Sequence, residues 1–248
     1  MSTISQILKY ALVISLMVPM LGMALLVAPI SGNMGWRIIR SWNSIALTIF
    51  GVKVEIDFVG DPSQLDGGGI LVGLTQQSLL DPTAGYAAWD RRVMSIWNIE
   101  YALIPFFGWV TILLGWIIIR QKPDQAKSQL RRAAQYAASG GLVYLSAEGK
   151  RSLDGTLNRY KKGPVVLAIE SQVPIHPIYM TGSRECLPVG EWKIRPGKII
   201  LRYLPAISTL GLTYEDRDML LGKIRAIGEA EHDCWSPVAS QVNAGVAP

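Results

Sequence analysis

The sequence is poor in cysteine, histidine and charged residues. Its 248 residues include two cysteines and two histidines, and Cys186 and Cys234 have no redox or metal-ligand spacing. Charged residues make up 17% of the chain, against about 25% in a typical soluble domain. These shortages exclude a disulfide scaffold and a charged, intrinsically disordered chain.

Hydrophobic residues, by contrast, make up half of the chain. They account for 50% of the residues, the mean hydropathy is +0.26, and 24 basic against 19 acidic residues give a net charge of +5. A modest basic excess suits an anionic membrane surface or a phosphorylated substrate. Nucleic acid is disfavoured as a partner, because the basic residues are scattered. The composition therefore indicates a membrane-associated globular protein.

Residues 1–50 are predicted to form N-terminal membrane-associated helices. Ala11–Ile30 is twenty residues without a charge, and a helix of that length spans about 30 Å, the thickness of a bilayer core. A signal peptide is the competing interpretation, disfavoured because no small-residue cleavage site follows. Trp36–Gly51 mixes tryptophans and arginines with apolar residues. This mixture predicts an interfacial helix, with an ordinary core helix as the alternative.

Residues 51–233 are predicted to form an α/β domain, a mixed sheet flanked by helices, followed by a disordered tail over 234–248. Alternating or continuous apolar runs predict strands. A helix is expected after Lys122 and another from a capping box at Thr213 to about Glu229. Tyr101–Ile119 is predicted to be a short hydrophobic helix and a strand rather than a second membrane span. The five other strands are predicted at Val52–Phe58, Ile70–Leu74, Leu142–Leu145, Ile175–Tyr179 and Ile199–Leu204.

Four short segments occur in the order of a known set of motifs. Thr75–Pro82 (TQQSLLDP) resembles N-H-x-S-x-x-D, and Gly115–Arg120 (GWIIIR) resembles G-x-x-x-x-R. Ala147–Ser152 (AEGKRS) resembles P-E-G-T-R-S, and Val173–Ile178 (VPIHPI) resembles V-P-I-x-P-V. Because the four segments occur in this order, the chain resembles the glycerolipid acyltransferases of the lysophosphatidic acid acyltransferase type. The resemblance covers residues 50–205.

The resemblance implies transfer of an acyl group from acyl-CoA or acyl carrier protein to the hydroxyl of a lysophospholipid. With lysophosphatidic acid as acceptor, the product is phosphatidic acid. In the family, a first-motif histidine is the general base and an aspartate orients it. Here Gln76 stands at the histidine position and Asp81 at the aspartate position. A carboxamide forms hydrogen bonds but has no useful basicity near neutral pH.

Three explanations of Gln76 stay open: a substitution that inactivates the enzyme, a natural relative that uses another base or works slowly, or a noncatalytic relative. His176 and His232 are the two histidines that could replace the base, and both are more typical of structural residues. Asp81 could act through water, although a carboxylate of ordinary pKa is a poor base at neutral pH. Ser78 is expected to cap a helix rather than act as a nucleophile.

The resemblance also implies a phosphate-binding set. Arg120 and Arg151 would bind the lysophospholipid phosphate, because the guanidinium fork fits its oxygens. Glu148 would hold Arg151 or its loop, Gly149 would permit a tight turn, and Lys150 would add positive charge where the family usually has threonine.

Gly115 and Pro174 match motif positions with structural or acyl-chain roles. Ile104–Leu114 is expected to line the acyl chain, with plain core packing as the equal alternative. A lysine that relatives carry is absent from Trp97–Glu100. No metal or further cofactor is expected.

The predicted location is the cytoplasmic face of the inner or plasma membrane, with membrane lipid as a partner. The alternatives are a noncatalytic membrane protein that binds lysophospholipid or acyl thioester, and an acyltransferase with another lipid acceptor.

Overall fold

In a computed structural model of the chain, a sheet lies between two layers of helices. The structure describes residues 2–103, 108, 113–119 and 121–235, with the backbone alone at residue 101. Within these residues the helices and strands are α1 (Thr3–Val27), α2 (Gly32–Phe50), β1 (Val52–Phe58), β2 (Gly69–Gly73), α3 (Leu80–Ala88), β3 (Val93–Asn98), α4 (Ile99–Ala102), β4 (Gly115–Ile118), α5 (Pro123–Ala138), β5 (Leu142–Ser146), α6 (Gly163–Ser171), β6 (Ile175–Thr181), α7 (Ser183–Cys186), β7 (Gly197–Tyr203) and α8 (Arg217–Trp235).

The sheet is mixed, as predicted, and has the strand order β1-β7-β6-β2-β5-β3-β4. From β6 to β4 all neighbouring strands pair in parallel, whereas β7 is antiparallel to β6 and parallel to β1. The carboxyl ends of the parallel strands therefore meet at one edge of the sheet. Ligand sites of α/β proteins form at such an edge.

Most of the predicted elements are confirmed with small shifts at their ends. The alternating run Val52–Phe58 is β1, and the capping box at Thr213 leads through a 3-10 turn into α8. This helix continues to Trp235, so the first two residues of the predicted tail (234–235) are helical, and 236–248 lie outside the described residues. The sequence prediction missed β3 and α6. Helix α6 is nine residues long, and its apolar run is too short for periodicity to distinguish a helix from a strand.

The hydrophobic segment 101–119 is described in part. Its predicted strand is confirmed as β4, while the residues 104–107 and 109–112 lie outside the described part. Gly115 begins β4 and pairs with Ser95 of β3. A Cβ atom on Gly115 would lie 1.7 Å from the carbonyl oxygen of Ser95, so only glycine permits this approach of the two backbones.

We expect Gly115→Ala to lower the free energy of unfolding by about 3 kcal/mol, since β4 must move away from β3 to admit the methyl group. Chemical denaturation in detergent measures this loss. Gly60→Ala is the control, because nothing lies within 4 Å of the added methyl. Equal stability of the two variants would contradict the assigned pairing of β3 with β4.

Helix α1 is long and apolar enough to cross a membrane, being 25 residues long with a mean hydropathy of 2.3 over its best window. It is nevertheless held against the domain along its length. At its start Gln6 donates to the carbonyl of Ile194 (2.6 Å) and the Tyr10 hydroxyl donates to that of Trp192 (2.5 Å). Further on, Leu21 and Ala24 are buried. The helix continues through Pro19, and it begins and ends earlier than the predicted span over residues 11–30.

Helix α2 corrects the expectation of an interfacial helix. Its apolar face, with Trp36, Ile39, Leu47 and Phe50, is buried in the same core as residues of the sheet. Arg40 turns inward and donates to the carbonyl of Ala87 (3.2 Å). The core-helix alternative is therefore the correct one, and among the described helices only α1 has the length and composition of a membrane span.

Candidate functional site

The candidate site is a cavity of about 530 Å³ at the carboxyl ends of the parallel strands. We call it the site cavity. The loops after β2 and β5, which are adjacent strands, form much of its wall. The structure brings five of the predicted site residues to this wall: Gln76, Asp81, Gly149, Lys150 and Arg151.

The loop that follows β2 is anchored to the neighbouring strand before it reaches the cavity. The Thr75 hydroxyl accepts from the N–H of Met180 in β6 (3.1 Å) and donates to its carbonyl (2.8 Å). Farther along, Ser78 donates to the carbonyl of Leu187 (2.8 Å) and accepts from the N–H of Leu80 (3.1 Å). The expectation that Ser78 caps α3 is therefore wrong: the N-cap is Leu79, which has no side-chain cap, and Ser78, one residue earlier, instead fixes the position of the loop.

Asp81, in the first turn of α3, fixes the shape of this loop. It is 4% exposed, and its Oδ2 accepts from the backbone N–H groups of Gln77 (2.7 Å) and Ser78 (2.9 Å). Burial raises the pKa of Asp81, while the nearby Ser183 hydroxyl, the two N–H bonds and the charge of Arg151 act in the opposite direction. Its Oδ1 is buried and has no hydrogen bond of standard length and angle, and the residue itself lines the site cavity.

Gln76 is held by its backbone and directs its side chain to the cavity wall. Its N–H donates to Oε2 of Glu148, and its carbonyl accepts from the N–H of Ser152 (2.7 Å). The side-chain oxygen Oε1 is buried without a hydrogen-bond partner. An unpaired acceptor beside a cavity suits a ligand that brings a hydroxyl or amine donor.

Glu148 joins the two loops from behind the cavity wall. It is fully buried, and its two carboxylate oxygens accept from the N–H groups of Gln76 and Asn158. Burial raises the pKa of Glu148 to about 7, against the lowering effect of these N–H bonds. Of the two roles expected for Glu148, the contacts favour holding the loop, since it forms no ion pair with Arg151 in the described part of the chain.

The loop after β5 presents its cations through a tight turn. Ser146 accepts from the N–H groups of Glu148 (3.2 Å) and Gly149 (3.3 Å). Gly149 has φ +67°, a left-handed conformation that glycine adopts at little cost. The turn directs Lys150 and Arg151 into the site cavity, where their positive charges face the same space as Gln76 and Asp81.

The other predicted site residues lie elsewhere or are not described. Arg120 lies outside the described residues, although Ile118, two positions earlier, lines the cavity. Gly115 serves the pairing of β4 with β3. Pro174 precedes β6, and its carbonyl accepts from the N–H of Ile70 (2.9 Å) at the amino end of β2. Both contacts are structural.

Neither histidine reaches the site cavity. His176 is buried at the amino end of β2, where its Nε2 lies 2.9 Å from the carbonyl oxygen of Gly68, and burial lowers its pKa. Gln76 follows the opposite end of this strand, and five strand residues span roughly 17 Å. His232 in α8 contacts the hydroxyl of Tyr179 (3.1 Å). The sequence-based view of both as structural residues agrees with these contacts.

Several residues that line the cavity escaped the sequence prediction. Tyr144 of β5, Ser95 and Trp97 of β3, and Lys161 and Gly163 before and in α6 all contribute. The strand residues show no motif, because only the pairing of the sheet brings them to this edge. Lys161 belongs to a lysine pair, and nothing in the sequence says which of the two faces the site.

Comparison with known proteins agrees with this fold. The family model described as Acyltransferase matches residues 55–181, just over half of the 248 residues. Human 1-acyl-sn-glycerol-3-phosphate acyltransferase alpha is 29% identical over 181 residues, 71% of this chain and 62% of that protein. The 1-acyl-sn-glycerol-3-phosphate acyltransferase of Limnanthes douglasii is 34% identical over 121 residues, 48% of this chain and 43% of that protein. The chain thus matches less than two thirds of the length of either relative.

The fold is that of a solved acyltransferase. The crystal structure of the 1-acyl-sn-glycerophosphate (LPA) acyltransferase PlsC from Thermotoga maritima superimposes with a TM-score of 0.73, covering 94% of this chain and 97% of the other. The two sequences are 22% identical, so this likeness supports the fold alone. The match of the family model, which extends over the first to the fourth motif, shows that the chain belongs to the acyltransferase family.

Proposed function

We propose that this protein transfers an acyl group from an acyl thioester to the free hydroxyl of a lysophospholipid, with 1-acylglycerol 3-phosphate as the acceptor. The observation that carries the proposal is the convergence of Gln76, Asp81 and Arg151 on one cavity. The site holds a hydrogen-bond acceptor for a hydroxyl and a cation for a phosphate. The relatives described above are named as 1-acyl-sn-glycerol-3-phosphate acyltransferases, which is this same reaction.

The reaction places particular demands on Gln76. The acceptor hydroxyl forms a C–O bond to the thioester carbon, the C–S bond breaks, and the thiolate takes up a proton. The proton of the hydroxyl must leave as the C–O bond forms, and a positioned base accelerates this step by about 10²–10⁴-fold. The carboxamide of Gln76 accepts a hydrogen bond from the hydroxyl but does not remove its proton. Transfer by this chain therefore relies on positioning, and we expect it to be slow.

The phosphate would bind on the opposite side of the site, at the turn after β5. Arg151 is half-buried there and makes no ion pair with a described residue. A guanidinium binds phosphate oxygens through two parallel hydrogen bonds. Arg120 follows β4, whose Ile118 lines the same cavity, and we assign it to the same phosphate.

Helix α1 supplies the contact with the membrane that holds the lipid acceptor. Its outer face carries large apolar side chains in solvent, among them Ile7, Leu8, Leu12, Val18 and Leu26, which are 48–78% exposed. Burial of such side chains in lipid is favourable by about 25 cal/mol per Å². Because acyl-CoA and acyl carrier protein are intracellular donors, we place the site at the cytoplasmic face of the membrane.

A second candidate function follows from the missing base. The site has a hydrogen-bond acceptor for a hydroxyl and cations for a phosphate, but position 76 holds no general base. Such a site suits a protein that binds lysophospholipid or acyl thioester without turnover. Gln76 is the observation that favours it. Binding accompanied by no transfer from either donor would identify this function.

The test is acyl transfer to 1-acylglycerol 3-phosphate by the purified full chain in detergent, with acyl-CoA and acyl carrier protein as separate donors. We expect Arg151→Ala to raise KM for the acceptor about 10–100-fold, since a charge-assisted hydrogen bond is worth about 1.5–3 kcal/mol. Arg159→Ala is the matched control, because Arg159 is exposed beside the same loop and does not line the cavity.

Equal KM values for both arginine variants would contradict the assigned phosphate site. Faster transfer to an aminolipid or glycolipid acceptor than to 1-acylglycerol 3-phosphate would replace the proposed acceptor while keeping the reaction class. A protein that neither binds nor acylates any lysolipid would overturn the proposal as a whole.

A further inference from the structure

We infer that Lys161 determines the acceptor's head group, by binding the second negative charge of a terminal phosphomonoester. The inference rests on the proposed function and names a residue that none of the four motifs contains. It concerns one side chain at the rim of the site cavity, where Lys161 lies with Lys150 and Arg151.

The position of Lys161 is fixed by contacts with the turn that carries Arg151. Its backbone N–H donates to the carbonyl of Ala147 (2.7 Å). Its side chain runs beside Gly149, since a Cβ on this glycine would lie 3.5 Å from Cγ of Lys161. The aliphatic stem therefore follows the turn, and Lys161 lines the cavity together with the neighbouring cations.

The adjacent lysine is used differently. Lys162 pairs with Asp218 of α8 at 2.6 Å and does not line the cavity. Lys161 forms no ion pair with any residue that the structure describes. An unpaired cation that faces a cavity is available to an anionic ligand, whereas the charge of Lys162 is already compensated.

The charges around the cavity match a dianion. Among the described lining residues the cations are Lys150, Arg151 and Lys161, and the one acid is Asp81, whose Oδ2 already accepts two backbone N–H groups. The amino end of α6 adds partial positive charge, because Gly163 and Pro164 of its first turn also line the cavity. A phosphomonoester carries about −1.5 to −2 charges at pH 7, whereas a phosphodiester carries one. The excess of cations therefore favours the monoester.

The experiment compares two soluble probes by titration calorimetry: 1-hexanoylglycerol 3-phosphate, a monoester, and the corresponding lysophosphatidylglycerol, a diester. The wild-type chain should bind the monoester more tightly, and Lys161→Gln should reduce this preference about tenfold, the equivalent of about 1.4 kcal/mol. Lys161→Arg should retain most of it. Lys162→Gln, the matched control, should bind both probes as the wild type does.

An equal loss of affinity for both probes in Lys161→Gln, or no loss for either, would overturn the inference, as would the same change in Lys162→Gln. In each of these cases the wild-type chain still binds a lysophospholipid, so the proposed function stands. Failure of the wild-type chain to bind either probe would overturn the proposed function and the inference together. Because binding is measured, slow turnover does not affect the result.

Discussion

Gln76→His is expected to raise the rate of acyl transfer by about 10²–10⁴-fold, the usual contribution of a positioned general base. The loop that carries position 76 is already held by Glu148 and Ser152 through its backbone. Asp81 lines the same cavity as Gln76, and its carboxylate is the group placed to accept a hydrogen bond from the new imidazole. A histidine supported by a carboxylate is the base that hydroxyl attack on a thioester requires. Steady-state transfer from acyl-CoA measures the gain.

Two further variants test whether the gain is chemical. In the double variant Gln76→His with Asp81→Asn, the aspartate that would support the imidazole is lost, and we expect most of the gain to disappear. Gln76→Ala removes the side chain without supplying a base and should not accelerate transfer. High activity of the unchanged chain, with no gain from histidine, would instead mean that another group takes the proton.

Glu148→Gln is expected to change how stability depends on pH. The pKa of Glu148 is raised from 4.5 to about 7 in the folded protein. Between these two values the folded state keeps a proton that the unfolded state has lost, so the free energy of unfolding falls as pH rises through this window. The fall amounts to about 3 kcal/mol and is complete above pH 7. A neutral glutamine cannot titrate, so the variant lacks this contribution.

The measurement is urea denaturation of both proteins at several pH values from 4.5 to 7.5. The quantity of interest is the difference between their free energies of unfolding at each pH. This difference cancels the contributions of groups that do not interact with Glu148, whereas Asp81, whose charge raises the pKa of Glu148, contributes to the same window. Glu191→Gln is the control, since Glu191 is exposed in a loop, and its curve should follow the wild type. Parallel curves for wild type and Glu148→Gln would show that Glu148 titrates at its ordinary value.

Local patterns in the sequence were sufficient to predict most of the strands of the sheet and part of the candidate site. The alternation in Val52–Phe58 is a property of a strand with one covered face, and β1 has the predicted ends. The motifs with Asp81 and Arg151 follow adjacent parallel strands, β2 and β5, so their convergence on one cavity follows from the strand pairing. What they bind and catalyse remains a proposal.

Other features depend on tertiary contacts that no local pattern encodes. The apolar face of α2 has the same composition whether it contacts lipid or protein, and the buried Trp36 shows that it contacts the core. Gln6 and Tyr10 fix α1 to a distant loop, which hydropathy does not predict. Lys161 and Lys162 are neighbours in sequence, and only tertiary contacts distinguish them: Lys162 pairs with Asp218, whereas Lys161 lines the site cavity.

The most direct measurement is a structure of the chain with 1-acylglycerol 3-phosphate bound. We predict that the phosphate contacts Arg151 and Lys161 and that the free hydroxyl lies within hydrogen-bond distance of Oε1 of Gln76. A lipid bound in this way would account for the unpaired acceptor and the unpaired cations together. A phosphate located away from the turn after β5, or a hydroxyl directed away from Gln76, would contradict the proposed site.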